Sequence, residues 1–415
     1  MPTFHGCKDV FVVINKLCLF LGTTILLSSL FSLSYASSFA QLAQAETSAT
    51  ATAAATAGAT AAAAGAAAMG QSEQTQAIAA PAPEPIKQQE NAMANSKVCL
   101  PIMPHEQVPL YIRPQQCYEL QGGNVINGNL TVQGKLFIKA GRKVSLTSGN
   151  SITVRNGGQF EIRGELDLKD RSAINIDHNS SFNCTGLLYM SQGSHFNTRG
   201  TTEIKNLGKI LIEPNSQIIF SDLTKFRNSG QIALNTAIWE IRNKGELNNS
   251  GTIDLLDGSR LQFLDKSSFI NAGKTNLNAQ SQLSFIDYAR FESRRMFAPK
   301  GIVTLARNSV FENLASFKQQ KGSSLIIRDN AQLLNNHTFE LSGATTFTGS
   351  ARILNDGVFA VKKAAQVHTE QKAVMINTGT FRNEGGAFTI DNQNNFINDN
   401  IVSGHESRTQ GRHRL

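Results

Sequence analysis

Tryptophan is almost missing from this 415-residue chain: Trp239 is the single copy, against 24 phenylalanines. Any core must therefore be built from phenylalanine and aliphatic side chains. The marks of several chemistries are missing too. Eight histidines show no metal-ligand spacing, and neither do the five cysteines. No Gly-x-Ser-x-Gly elbow occurs, and no glycine-rich calcium-binding nonapeptide. Gly273-Lys274-Thr275 looks like the end of a phosphate loop, but Ser268 stands where that loop needs glycine. Excess charge is mild: 39 Lys and Arg against 31 Asp and Glu give +8, spread along the chain. Such a balance allows attraction to acidic polysaccharide or an anionic surface without choosing between them. No RNA- or DNA-binding signature accompanies it, so no nucleic-acid partner is expected.

The N-terminal quarter has little that folds. Residues 1–45 read as an export signal. Lys8 and Lys16 supply positive charge, Leu17 to Leu33 is an apolar run, and Ala36, Ala40 and Ala45 offer cleavage sites. An uncleaved membrane anchor is the alternative, although the run is near the short limit for spanning. Residues 46–96 form a low-complexity linker, first of Ala, Thr and Gly, then of Gln, Pro and Glu. They hold almost no large apolar side chain and cannot build a core. Residues 97–121, with Pro101, Pro104, Pro114, Cys99 and Cys117, break the later pattern and are expected to cap it. Cys99 and Cys117 are spaced to close a loop there in an oxidising compartment. Residues 401–415 are a polar, basic tail.

Between 122 and 400 one ladder organises the chain: Asn206, Asn228, Asn249, Asn271, Asn313, Asn335, Asn355, Asn377 and Asn398. The steps are 22, 21, 22, 42, 22, 20, 22 and 21, with Ser293 in the slot that the 42 skips. Two residues before each slot is an apolar side chain (Phe226, Leu247, Phe269, Phe311), and two after it is often glycine (Gly208, Gly230, Gly251, Gly273, Gly357, Gly379). Between the slots the apolar residues alternate, as in Ile210 and Ile212, then Ile218 and Phe220. Alternation of this kind marks three short strands per repeat. Strands so short bury an apolar face only by stacking on the next repeat, about 4.8 Å away. The expected fold is all-β, a right-handed parallel β-helix with about 22 residues per coil. About 13 coils at this rise would make a rod on the order of 60 Å long. A β-propeller would need blades of roughly 40 residues or more. Stacked Asn side chains, each with a donor and an acceptor, are expected to bond one another and the turn backbone. Cys184 fills the slot one coil before Asn206 and reads as a small buried thiol.

Units such as Phe226-Arg-Asn228-Ser-Gly230-Gln-Ile232-Ala-Leu234 and Phe269-Ile-Asn271-Ala-Gly273 resemble those of filamentous-haemagglutinin-type adhesins and autotransporter passengers of Gram-negative bacteria. The resemblance covers roughly 122–400 and implies a secreted or cell-surface β-helix. The chain departs from both families in two features: no terminal membrane barrel is evident, and the Asn-Pro-Asn motifs of two-partner secretion are missing. Coil length and ladder also resemble the pectate lyases, which would imply clustered acids on one face. Here the acids (Asp167, Asp170 and Asp177; Asp254 and Asp257; Asp287) read as scattered, solvated turn residues with no pair at one position in neighbouring coils. No catalytic cluster and no cofactor is expected. The expected function is adhesin-like binding of an acidic glycan or host-surface ligand; the alternative is an envelope scaffold that assembles with other proteins. Residues 286–300 are the main irregularity, and Arg290, Arg294, Arg295 and Lys300 are the candidate contact residues.

Overall fold

The computed structural model describes residues 99–399 and the backbone of Val402–Gly404, all within the compact unit Gln88–Leu415. The expected export signal, the linker and most of the polar tail lie outside the described residues.

The chain winds into a parallel β-solenoid. Each coil contributes a strand of about four residues to each of three faces. The first sheet has 15 strands, from Leu100–Ile102 to Phe396–Asn398, and the second has 14, from Tyr111–Ile112 to Ala387–Ile390. The third face divides. Eight strands run from Val125–Ile126 to Lys274–Leu277, and five from Ser316–Lys318 to Val402–Gly404. Neighbouring strands pair in parallel at one period, as in Phe160 with Phe182, Phe182 with Ile204, and Ile204 with Phe226. Residues 97–121, expected as a cap, contain strands of the stack themselves: Leu100 stands opposite Tyr118 and Tyr111 opposite Thr131. At the far end Val402–Gly404 pairs with Phe381–Asn383.

Alternation decides which side chains face the axis. In Lys225–Asn228 the burial pattern is exposed, buried, exposed, buried, and it recurs round the coil. Phenylalanines fill much of the interior and touch from coil to coil. Phe263, Phe285, Phe291 and Phe311 lie nearly parallel, with centroids 4.9, 4.9 and 4.6 Å apart. Phe317, Phe339, Phe359 and Phe381 make a second such column. Trp239 sits edge-on between Phe220 and Phe226.

From the strand Glu203–Asn206 onward, Ser293 apart, the ladder asparagines close the strands of the first sheet; they point inward and are buried from Asn206 to Asn377. Nδ2 of Asn206 donates to Oδ1 of Asn228, Asn228 to Asn249, and Asn249 to Asn271, each at 2.8 Å. A second segment runs from Asn313 through Asn335, Asn355 and Asn377 to Asn398. The same amides also donate to a backbone carbonyl of the next coil, such as Gln231 O from Asn206 and Thr252 O from Asn228. Ser293 interrupts the column. Its hydroxyl donates to Arg295 O, so the Asn271 amide hydrogens and the Asn313 carbonyl have no partner.

The glycines two residues on turn the corner against the coil before. A Cβ on Gly230 would stand 2.1 Å from Gly208 O, and one on Gly251 2.1 Å from Gly230 O. Only the missing side chain lets these backbones approach so closely. The column is interrupted where the third face divides and resumes at Gly357 and Gly379. At the division the slot holds Arg295, and the segment 294–300 replaces a strand, with Phe297 buried and bridged to Phe317.

Gly230→Ala must push a backbone carbonyl aside and is expected to destabilise the protein by about 2–3 kcal/mol. Ser229→Ala, one exposed position away, should cost under about 0.5 kcal/mol. Urea unfolding of the two variants checks the pair, and equal midpoints would refute the close approach.

Candidate functional site

The interior is filled, so the positions open to a ligand are on the outside. The irregular coil places its four basic residues round the rod. Arg290 is exposed on the outer face of the first sheet, in the strand Arg290–Ser293. Arg294 and Arg295 follow at the next corner, beside the exposed Met296. Lys300 stands at the opposite corner of the third face, where its N–H donates to Leu277 O at 2.9 Å. Thus the coil brings Arg294 and Arg295 together and sets the other two on either side. Arg294 pairs with Glu292. Arg290, Arg295 and Lys300 take part in none of the ion pairs among the described residues.

The acids differ from expectation in two ways. They do recur at one position in neighbouring coils. Glu292 stands opposite Glu312 in adjacent strands of the first sheet. Asp265 and Asp287 occupy one corner in successive coils, in a column with Asp222, Asn243, Arg307 and Asp329. All six have φ between 58° and 67°. This corner requires left-handed backbone, which Asp and Asn tolerate better than most residues. The carboxylates also hold the corners together: Asp265 Oδ2 accepts the Asn243 N–H, and Asp329 Oδ2 the Arg307 N–H, each at 3.0 Å. The 20- to 22-residue spacings of this column were present in the sequence, beneath the stronger asparagine ladder.

Asp167 is the second difference. It is not a solvated turn acid but lies within the strand Glu165–Leu168, buried although on the outer side. Lys169 Nζ at 2.6 Å and Lys143 Nζ at 3.3 Å cover one carboxylate oxygen; the other, Oδ1, has no hydrogen-bond partner. Its charge is thus held between two lysines, as a buried carboxylate requires. The Glu165 hydrogen bond, with Asp167 adding to it, holds the Lys143 ammonium above its usual range. Next to Asp167 in the third face is Tyr189, whose phenol is pushed up by burial and by Glu213.

Cys99 and Cys117 are bonded, with Cα atoms 4.6 Å apart. Cys117 starts one strand of the first sheet and Cys99 immediately precedes its neighbour Leu100–Ile102, so the sheet spacing itself sets a separation that a disulfide spans. Beside them is a notch of about 510 Å3, lined by Gln115, Gln116, Gln133, Lys135, Phe137 and Gln159 among others. One sign of it is legible in the spacing of the repeats. Matching positions of the first sheet are 18 residues apart from Tyr118 to Leu136, then 24 from Leu136 to Phe160.

No protein-family model matches the chain, and no match was found among curated proteins or among solved structures.

Cys184 is buried in the ladder column opposite Asn206, and burial pushes its thiol up to about 12 from an ordinary 9.0. A raised thiol pKa means that the unfolded chain releases this proton first. The contribution is therefore intact below pH 9 and is lost as pH rises from 9 toward 12, by up to about 1.4 kcal/mol per pH unit. The stability difference between the protein and Cys184→Ala should be flat below pH 9 and shrink above it. A difference that is constant to pH 11 would show that the thiol is not held neutral.

Proposed function

We propose that the chain is an exported, adhesin-like binding protein of the cell surface, without enzymatic activity, whose outer face attaches to an acidic glycan or a host-surface ligand. What carries the reading is the division of labour round the coil. Inward positions are committed to packing and to the asparagine ladder. The outward cations Arg290, Arg295 and Lys300 have no acidic partner among the described residues. An unpaired exposed cation costs the fold little and is free to meet an anion. The Asn-x-Gly units and the parallel coil are those that a filamentous-haemagglutinin-type or autotransporter-passenger rod would have. In this reading residues 1–45 direct export and residues 46–96 tether the rod.

One observation favours a second reading, an envelope scaffold. Leu334, Leu354, Ile376 and Ile397 stand opposite one another in four successive strands, on the outer face of the first sheet. Ile397 is 44% exposed. An outward apolar ridge is what a protein partner would cover.

Protease treatment of intact cells, with antibody to residues 97–415, tests location. Cleavage on intact cells, or protein in the medium, is expected; protection within the envelope would favour the scaffold. Replacing Arg290, Arg294, Arg295 and Lys300 together by Ser should weaken binding to a long acidic polysaccharide severalfold with an unchanged circular dichroism spectrum. Unaltered affinity would remove these residues from the contact.

A further inference from the structure

The notch beside the disulfide is built by one short corner. Between the second and first sheets, other described coils place three to five residues and most often four, such as Arg113–Gln116 between Ile112 and Cys117, or 155–158 between Val154 and Gln159. The coil between those two has only Gln133 and Gly134, between Val132 and Lys135. Two full turns therefore stand out as walls over a recessed floor. The upper and lower walls carry Pro114-Gln115 and Asn156-Gly157. The floor cannot be refilled by a side chain at Gly134, because a Cβ there would stand 2.3 Å from Gln116 O and 2.4 Å from Arg113 O. The Cys99–Cys117 bond fixes the strand behind one wall.

The lining is rich in hydrogen-bond donors. Gln116 Oε1 is occupied by the Arg113 N–H at 2.7 Å, and Gln133 Oε1 by the Tyr111 hydroxyl at 2.9 Å. With one lone pair of each carbonyl oxygen already engaged, the groups these side chains hold wholly free are their NH2 donors. Gln115, Asn156 and Gln159 add free carboxamides, and Lys135 adds an exposed ammonium. Among the described residues no carboxylate lines the notch. The nearest acids in the outward column are committed elsewhere: Glu161 to Arg163, and Glu119 to the Gln121 amide. Two more exposed cations, Arg113 and Arg155, begin the two wall turns and appear in none of the ion pairs among the described residues. Pro114, the disulfide and Phe137, whose ring carries the Arg163 guanidinium 4.6 Å from its centroid, give an apolar side.

We propose that this notch binds a short acidic oligosaccharide. Its anionic group meets Lys135, its hydroxyl oxygens accept from the amides of Gln116 and Gln133, and its apolar ring face lies toward Pro114 and Phe137. Amide donors with one cation, against an apolar wall, match an oxygen-rich anion better than a peptide or a neutral lipid. The volume falls within the range of small-ligand sites. This assignment rests on the reading of the chain as a binder of acidic glycans and gives it a location. It is separate from the basic residues of the irregular coil. Seven strand spacings of the first sheet divide the strand of Lys135 from that of Arg290, about 34 Å at 4.8 Å each. A trisaccharide is too short to touch both.

Isothermal titration of the full chain decides the matter, with trigalacturonate as the carboxylated probe, a heparin-type sulfated tetrasaccharide as the sulfated one, and maltotriose as the neutral control. The expected result is binding of one or both acidic probes and at least tenfold weaker binding of maltotriose. Whichever acidic probe binds tells whether the recognised anion is a carboxylate or a sulfate. Lys135→Glu should weaken the bound probe at least tenfold, Lys135→Arg should retain it, and Gln133→Ala should weaken it severalfold. Lys135 is exposed, so circular dichroism should not change in these variants. The fourfold Ser variant of the irregular coil should bind the short probes normally. Acidic probes that bind with undiminished affinity to Lys135→Glu would overturn the notch while leaving the protein a glycan binder. Maltotriose binding as tightly as the acidic probes would overturn the anionic preference. Failure of the full chain to bind these probes and long acidic polysaccharide alike would overturn both the notch and the functional reading.

Discussion

A buried amide needs two kinds of partner, and the ladder supplies both by repetition. Each asparagine gives its NH2 to the carbonyl of the next and receives from the one before. This fixes more than the side chain. The amide must face the axis, must lie at the same height in every coil, and must end its strand where the corner begins. Along the ladder, coil length is thereby held at 20–22 residues on the first sheet, while the third face tolerates a missing strand and the short turn lies before the ladder begins. The glycine two residues on follows from the same demand. The N–H groups of Ser229 and Gly230 both donate to Asn206 O, which draws the corner so close that no Cβ fits. Where the column is interrupted, its cost appears on the edges of the gap. Asn206 beside Cys184, and Asn271 and Asn313 on either side of Ser293, each keep an unpartnered buried atom. The third face divides in the coil that begins with Ser293.

Much of this was legible in the sequence because a solenoid writes its contacts as a period. The inward Phe226 and Phe269, the buried Asn228 and Asn249, and the irregular stretch 286–300 were all readable from spacing. Less readable were features that depend on which turn lies above which. Asp265 and Asp287 look like unrelated loop acids until the coils are stacked. Asp167 looks like a solvated acid because nothing in its own strand announces that Lys143, one coil away, and Lys169 will cover it. The last strand is hard to read for a similar reason. Val402–Gly404 carries no asparagine or inward phenylalanine, yet an open strand edge accepts it.

The outer surface is free to vary because so little of the fold depends on it. Outward neighbours on one face change from charged (Glu161, Lys205, Arg227) to apolar (Leu334, Leu354, Ile376) along the rod while the inward column stays the same. A short corner at Gln133-Gly134 removes two residues from the outside without disturbing Val132 or Leu136 within. Recesses and ridges of this kind are how a uniform solenoid acquires distinct surfaces, and the function must be argued from those places rather than from the coil.

The central claim is that the amide column, not the outward side chains, holds coil to coil. The most direct measurement compares Asn249→Ala with its outward neighbour Asn248→Ala by urea unfolding of the full chain. Loss of Asn249 strips Asn228 of an acceptor and Asn271 of a donor at buried positions, and should cost about 2–3 kcal/mol. Loss of Asn248, whose amide meets only Glu246, should cost under about 0.5 kcal/mol. Equal and small effects at both positions would contradict the account.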